Sequence, residues 1–176
     1  TKIGKDIVIS VKAGGGDPAS NSRLRAIIQN AKAVNMPKEN VERAIKRATS
    51  KDQEDYKEIV YEGYAQHGIA ILVETTTDNI NRTVANIRSS FTKCGGSLGT
   101  TGMLDFIFAR KSVFKITAKP EIDLEELEFD LIDLGVDEVF LDEETNQINI
   151  YGEFTAFGGI QKFLEEKGYE LMGADF

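Results

Sequence analysis

The apolar residues of this chain change period near residue 50, and that change divides it into parts that cannot share one layer. Up to Ala48 they recur at helical spacing, and from Tyr56 they alternate as in half-buried strands. A polar stretch, Ser50-Lys51-Asp52-Gln53-Glu54-Asp55, separates the two regimes and reads as a linker. Ile3, Ile7, Val8 and Val11 fit a first helix, although Ile7 to Val11 is also strand-like. Gly14 to Gly16 would stop it. A second helix starts at Asp17-Pro18 or at Asn21-Ser22 and is striped by Leu24, Ile27, Ile28, Ala31 and Val34. Asn35 suits a left-handed stop, and Pro37 suits the first turn of a third helix. There Val41, Ala44, Ile45 and Ala48 share one face, while Arg43, Lys46 and Arg47 fall on or beside its solvent side. Three short helices with a tight second turn make a small bundle, similar in outline to helix-turn-helix modules.

Beyond the linker, Tyr56 to Glu62 alternates, and Ile69 to Val73 reads as a buried strand. Ile80, Val84, Ile87, Phe91 and Cys94 stripe a helix ended by Gly95-Gly96, and Met103 to Phe108 reads as another strand. This middle unit is strand, strand, helix, strand, half of a complete set. From Val113 a strand to Thr117 leads to a helix striped by Leu124, Leu127, Leu131 and Ile132, stopping near Gly135. Glu138 to Leu141 and Gln147 to Tyr151 form a hairpin. A helix with Ile160, Phe163 and Leu164 ends at Gly168, and Tyr169 to Leu171 is a last strand. The order βαββαβ predicts a ferredoxin-like four-stranded antiparallel sheet with both helices on one face. The fold class is therefore α+β: a basic helical bundle over 1–53, a middle α+β unit over 54–112 and an acidic ferredoxin-like unit over 113–176.

Charge follows the same division. Residues 1–50 carry ten Lys/Arg against four Asp/Glu, residues 51–112 seven against eight, and residues 113–176 four against seventeen, which gives the net −8. Clustered Lys/Arg supply the main affinity for a nucleic-acid partner through counterion release, or else form an ordinary solvated helix surface. The acidic third unit would then face away from a polyanion. No apolar run approaches the roughly 20 residues needed to span a bilayer, and no signal-peptide pattern is present. A single cysteine excludes an intramolecular disulfide and fits a reducing cytoplasm or an organelle interior.

Candidate chemistry is sparse. His67 is the only histidine and Cys94 the only thiol, too few ligands for a metal site of the zinc type. Cys94 sits on an apolar stripe, where a buried, inert role is the default. No Gly-x-Gly-x-x-Gly or Gly-Lys-[Ser/Thr] loop indicates NAD or ATP, so no cofactor is expected. The run Gly14-Gly15-Gly16-Asp17-Pro18 is either a hinge or a cradle for a phosphate. Thr75 to Thr83 packs polar donors around a helix start, as an anion site or merely a cap at Asp78. Gly95 to Gly102 suits close approach of another backbone or a connector. The carboxylates of 121–144 lack the regular spacing of a calcium loop and read as a solvated face.

Several stretches together resemble the YebC/PmpR family. They are Gly14-Gly15-Gly16-Asp17-Pro18, Arg23-Leu24-Arg25-Ala26, Asn35-Met36-Pro37 through Arg47, Tyr61-Glu62-Gly63-Tyr64, Thr77-Asp78-Asn79, Asn81-Arg82-Thr83-Val84 and Cys94 through Thr100. They run in order from Gly14 to about Lys111; residues 113–176 match mainly in element order. The resemblance implies three domains, the third inserted within the second. It also implies a longer chain, with a basic segment ahead of Thr1 and a tail returning a helix and a strand to the middle sheet. Family members are described as DNA-binding transcriptional regulators. They are also described as ribosomal translation factors that relieve stalls at proline-rich stretches, and mitochondrial relatives resemble translational activators of a cytochrome c oxidase subunit. Either description implies a non-enzymatic, cytoplasmic protein docking on nucleic acid, DNA or rRNA. On that reading Lys38, Arg43, Lys46 and Arg47, with Lys32, Arg23 and Arg25 nearby, contact phosphates, and Asn81 and Arg82 contact RNA or a partner. A pocket between the middle and third units, lined by Arg82 and Thr101, would instead indicate a ligand-sensing module.

Overall fold

The computed structural model describes residues 2–50 and 55–175, so most of the expected linker lies outside the described residues. Three helices come first: α1 (Lys2–Gly14), α2 (Ser22–Ala33) and α3 (Lys38–Ala48). Helix prevails over strand at the start because Ile7, Val8 and Val11 join Leu24, Ile27, Ala31, Val41 and Ala48 in one buried cluster. Only a 3.6-residue period puts those three on one face. Asn21 is the N-cap of α2, its Oδ1 accepting from the Leu24 N–H at 3.0 Å. Val34 does not belong to the stripe. It is the C-cap of α2 and 63% exposed, as the chain turns into Asn35 at φ 56°. Pro37 stands one position earlier than expected, as the N-cap residue of α3.

The middle unit contains β1 (Lys57–Tyr64), β2 (Ala70–Thr77), α4 (Ile80–Lys93) and β3 (Ser97–Leu98), with sheet order β2-β1-β3. The third strand is thus the glycine-rich segment, and Met103 to Phe108 is a turn. The cause is backbone proximity. A Cβ at Gly63 would strike the Ser97 carbonyl, and one at Gly96 the Tyr64 carbonyl, so glycine at both positions lets the strands meet. The strand expected to be buried is largely exposed: Ile69, Ile71 and Leu72 all reach solvent. Cys94 is also exposed rather than in the core, because α4 ends at Lys93 and Cys94 turns away as its C-cap.

The last unit comprises β4 (Lys111–Thr117), α5 (Leu124–Ile132), β5 (Val136–Asp142), β6 (Gln147–Glu153), α6 (Phe157–Glu166) and β7 (Leu171–Asp175). Its antiparallel order β5-β6-β4-β7 is the ferredoxin-like one. Phe114, Ile116, Ile148 and Ile150 pack against Leu127, Leu131, Ile160 and Leu164, so both helices cover the same sheet face. Ile132 lies off that stripe and is 59% exposed. The last strand starts at Leu171, while Tyr169 packs against the core beside it. The chain is an α+β protein: a three-helix bundle followed by two α+β units.

The acidic unit does not stand clear of the basic bundle. Helix α2 lies along the edge strand β7, and its side chains satisfy that edge. Asn30 Nδ2 donates to the Ala174 carbonyl at 2.7 Å, while the Ala174 N–H donates to Asn30 Oδ1 at 3.0 Å. Gln29 Nε2 donates to the Leu171 carbonyl at 2.5 Å. An uncovered strand edge would otherwise present unpaired N–H and C=O groups.

Candidate nucleic-acid interface

The basic residues of the bundle divide into paired and unpaired groups. Arg23 is ion-paired with Glu58 of β1. Arg25 Nε donates to Glu165 of α6 at 3.1 Å, and its guanidinium also donates to the Pro18 and Ala19 carbonyls at 2.8 and 3.1 Å. Lys12 bridges to Asp55 at 2.9 Å, and that hydrogen bond holds the Asp55 carboxyl below its ordinary range. These three cations tie the bundle to the two sheet-bearing units. Lys38 pairs within its own helix with Glu42 at 3.5 Å.

The other group is solvent-facing. Arg43, Lys46 and Arg47 are exposed on the second half of α3, and none has a carboxylate partner among the described residues. Val41, Ala44, Ile45 and Ala48 take the inward side, which pushes these three cations out. Their position near the C-terminus of α3 also suits the negative end of the helix dipole. Lys32 is exposed in the last turn of α2 and likewise unpaired among the described residues. Of the seven bundle cations singled out from sequence, the structure gathers Arg43, Lys46 and Arg47. It holds Arg23 and Arg25 at interdomain seams.

Between α1 and α3 runs a groove of about 340 Å³, bordered by Lys5, Val8, Asn40, Arg43, Arg47 and Tyr56. Lys5 Nζ lies 5.3 Å from the centre of the Tyr56 ring and donates to the Thr76 carbonyl at 3.2 Å. Lys5, Asn40 and Tyr56 were not singled out from sequence. The available signal was the i, i+3, i+7 spacing of Asn40, Arg43 and Arg47, which puts them in one row facing α1.

Asn81 and Arg82 sit at the start of α4, a few residues beyond the β2 end that Lys5 touches. Both are exposed. The cap is Asn79, not Asp78: its Oδ1 accepts from the Arg82 N–H at 2.9 Å. Asp78 instead pairs with Arg82 at 2.7 Å, and Thr77 Oγ1 takes the Asn79 N–H at 2.9 Å. The N–H donors of Asn79 and Arg82 therefore already have partners within the chain.

The triple-glycine run is anchored at Gly15. Gly15, at φ 85°, closes α1 by donating to the Val11 carbonyl at 2.8 Å, and its own carbonyl accepts from Asn21 Nδ2 at 2.9 Å. At the junction of all three units lies a cavity of about 200 Å³ whose walls include Asp6, Arg23, Glu58, Glu74, Arg110 and Asp175. Arg82 and Thr101 do not line it. Burial pushes the Asp6 carboxyl above its ordinary range, and Glu58 and Asp175 add to that while Lys2 and Arg23 oppose it. Among the described residues no helix is long and apolar enough to cross a membrane.

Comparison with known proteins places these features in a family context. Residues 1–51 match the TACO1/YebC protein N-terminal domain, and residues 56–175 match the TACO1/YebC second and third domain. A protein of Porphyromonas gingivalis described as "Probable transcriptional regulatory protein" is 60% identical over 176 residues, all of this chain and 72% of that one. A protein of Flavobacterium psychrophilum with a like description is 61% identical, over all of this chain and 73% of that one. The crystal structure of a conserved hypothetical protein from Aquifex aeolicus superposes with a TM-score of 0.79 at 38% identity, covering 99% of this chain and 71% of that one.

Proposed function

The chain belongs to the TACO1/YebC family, and from that premise we propose that it is a non-enzymatic, cytoplasmic regulator of gene expression that docks on nucleic acid. The observation that carries this reading is the exposed row Arg43, Lys46 and Arg47, without carboxylate partners among the described residues, in a bundle where Lys12, Arg23, Arg25 and Lys38 are ion-paired. Such cations release counterions from a polynucleotide on contact. They position the protein and do not by themselves select a sequence. The names of the relatives support transcriptional regulation, and DNA is the nucleic acid that such a role would engage. Lys32 and Lys38 extend the basic surface, and Asn81 with Arg82 adds a second contact from α4. Arg23 and Arg25 act as positioning residues that hold α2 against the sheets.

Ribosomal RNA is a second reading, favoured by the concave α1/α3 groove, because RNA is read mostly through unpaired nucleotides. Titrating the protein against a duplex DNA and against ribosomal RNA at matched salt separates the two. Transcriptional action requires a duplex affinity that changes with base sequence, which base-edge contacts produce. Co-sedimentation with ribosomes and weak, sequence-independent duplex binding would transfer the role to RNA. Absence of binding to either at low salt would overturn the reading.

A further inference from the structure

We propose that the groove between α1 and α3 is a seat for one unpaired nucleotide, its phosphate held by Arg43 and Arg47 with the Lys5 charge nearby, and its base laid at the Tyr56 end of the groove. The proposal rests on the nucleic-acid reading and adds a site, its occupant and its geometry. Three cations from two helices line one recess, and cations on one convex helix face would not enclose a single phosphate in this way. Arg43 and Arg47 are one turn apart on α3, and Lys5 borders the same recess from α1, its ammonium resting over Tyr56 and bonded to the Thr76 carbonyl. Guanidinium groups bind phosphate oxygens through paired N–H donors, and the ammonium adds a point charge. Asn40, one turn before Arg43, brings an amide able to donate and accept toward a base edge. Tyr56 supplies the aromatic wall. Aromatic rings beside cations are the common device for holding single strands, since every base has a π-face.

Size points the same way. At about 340 Å³ the groove falls at the lower end of small-ligand clefts, roughly 300–1,000 Å³. That is room for one nucleotide. The exposed side of α3 also argues against lying lengthwise in a major groove, because Glu39 and Glu42 occupy its first half and would meet phosphates. The cation-rich second half is the part that borders the recess.

The test uses the full chain and labelled 12-mers of oligo(U), oligo(dT) and a mixed-sequence duplex at one salt concentration, read by fluorescence anisotropy. Two charge-matched double variants are compared, Arg43→Gln with Arg47→Gln in the groove and Arg88→Gln with Lys93→Gln on α4, away from it. All four positions are exposed, and thermal melting of each variant verifies the fold. The expected result is single strands bound more tightly than duplex, with the groove pair losing tenfold or more in single-strand affinity and the outer pair under threefold. Oligo(U) against oligo(dT) then identifies the strand as RNA or DNA. Equal losses from both pairs, or a duplex preferred over both single strands, would overturn the seat while leaving the nucleic-acid reading intact. Failure of the unmutated protein to bind any of the three would overturn that reading as well.

Discussion

Glu62 shows how one side chain decides the course of the chain around it. Its carboxylate is buried in β1 and accepts the N–H groups of Gly102 and Leu104 at 2.8 and 2.7 Å, while its own carbonyl takes the Gly99 N–H at 2.8 Å. A carboxylate acceptor strengthens both bonds, and removing it leaves two donors without a partner inside the fold. This is why residues 101–107 form a turn and bury Leu104 instead of continuing as a strand. Glu62→Ala is expected to lower stability by about 3 kcal/mol in chemical denaturation. It should also speed hydrogen exchange at Gly102 and Leu104 more than elsewhere in the sheet; unchanged exchange at those two amides would contradict the role. Glu62 lies in the family-like stretch Tyr61-Glu62-Gly63-Tyr64, but its periodicity does not mark it as buried. A glutamate in an alternating strand has the ordinary solvent-facing reading, and its burial depends on a loop some 40 residues away. The cations of α3 were legible for the opposite reason, since local periodicity alone puts Arg43, Lys46 and Arg47 outside the apolar face.

At the scale of elements, what joins α2 to β7 is a pair of amide side chains acting in place of a neighbouring strand. Asn30 both donates to and accepts from Ala174, and Gln29 adds a third bond at Leu171. Asn30→Ala is expected to cost about 1–2 kcal/mol and to raise exchange at the Ala174 amide toward that of an open edge. If the amide stayed protected, α2 would not be what covers β7. Element types in the two terminal units could be read from sequence because each buries its stripe largely within itself: α1 to α3 against one another, α5 and α6 against their own sheet. The middle unit was harder. Ile69 to Val73 has the composition of a buried strand, yet whether an apolar run is buried depends on what packs over it, which composition does not contain. Ser97-Leu98 was not legible as a strand because glycines that normally interrupt strands are here what lets two backbones meet.

The whole molecule is three units held at one seam by the cations that do not face solvent. Arg23 reaches the middle unit and Arg25 the last one, so the excess of positive charge in the bundle is divided between holding the fold and facing outward. The cavity at this seam also collects carboxylates: Asp6 from α1, Glu58 and Glu74 from the middle sheet and Asp175 from β7, with Lys2, Arg23 and Arg110 among them. Because the Asp6 carboxyl is raised in the folded state, the native protein holds that proton more firmly than the unfolded chain. Its contribution to stability therefore falls as pH rises through and above the ordinary carboxylate range near 4. Asp6→Asn should melt higher than the parent at pH 7, and the advantage should vanish below about pH 4; a lower melting temperature at pH 7 would reverse the sign. The central claim is that the unpaired cations of α3 carry nucleic-acid binding. It is tested most directly by measuring the salt dependence of polynucleotide affinity for the parent protein and for Arg43→Gln/Lys46→Gln/Arg47→Gln. Three lost phosphate contacts should flatten the slope of log K against log salt by about 2 to 3 and weaken binding by on the order of a hundredfold at low salt. An unchanged slope and affinity would contradict the account.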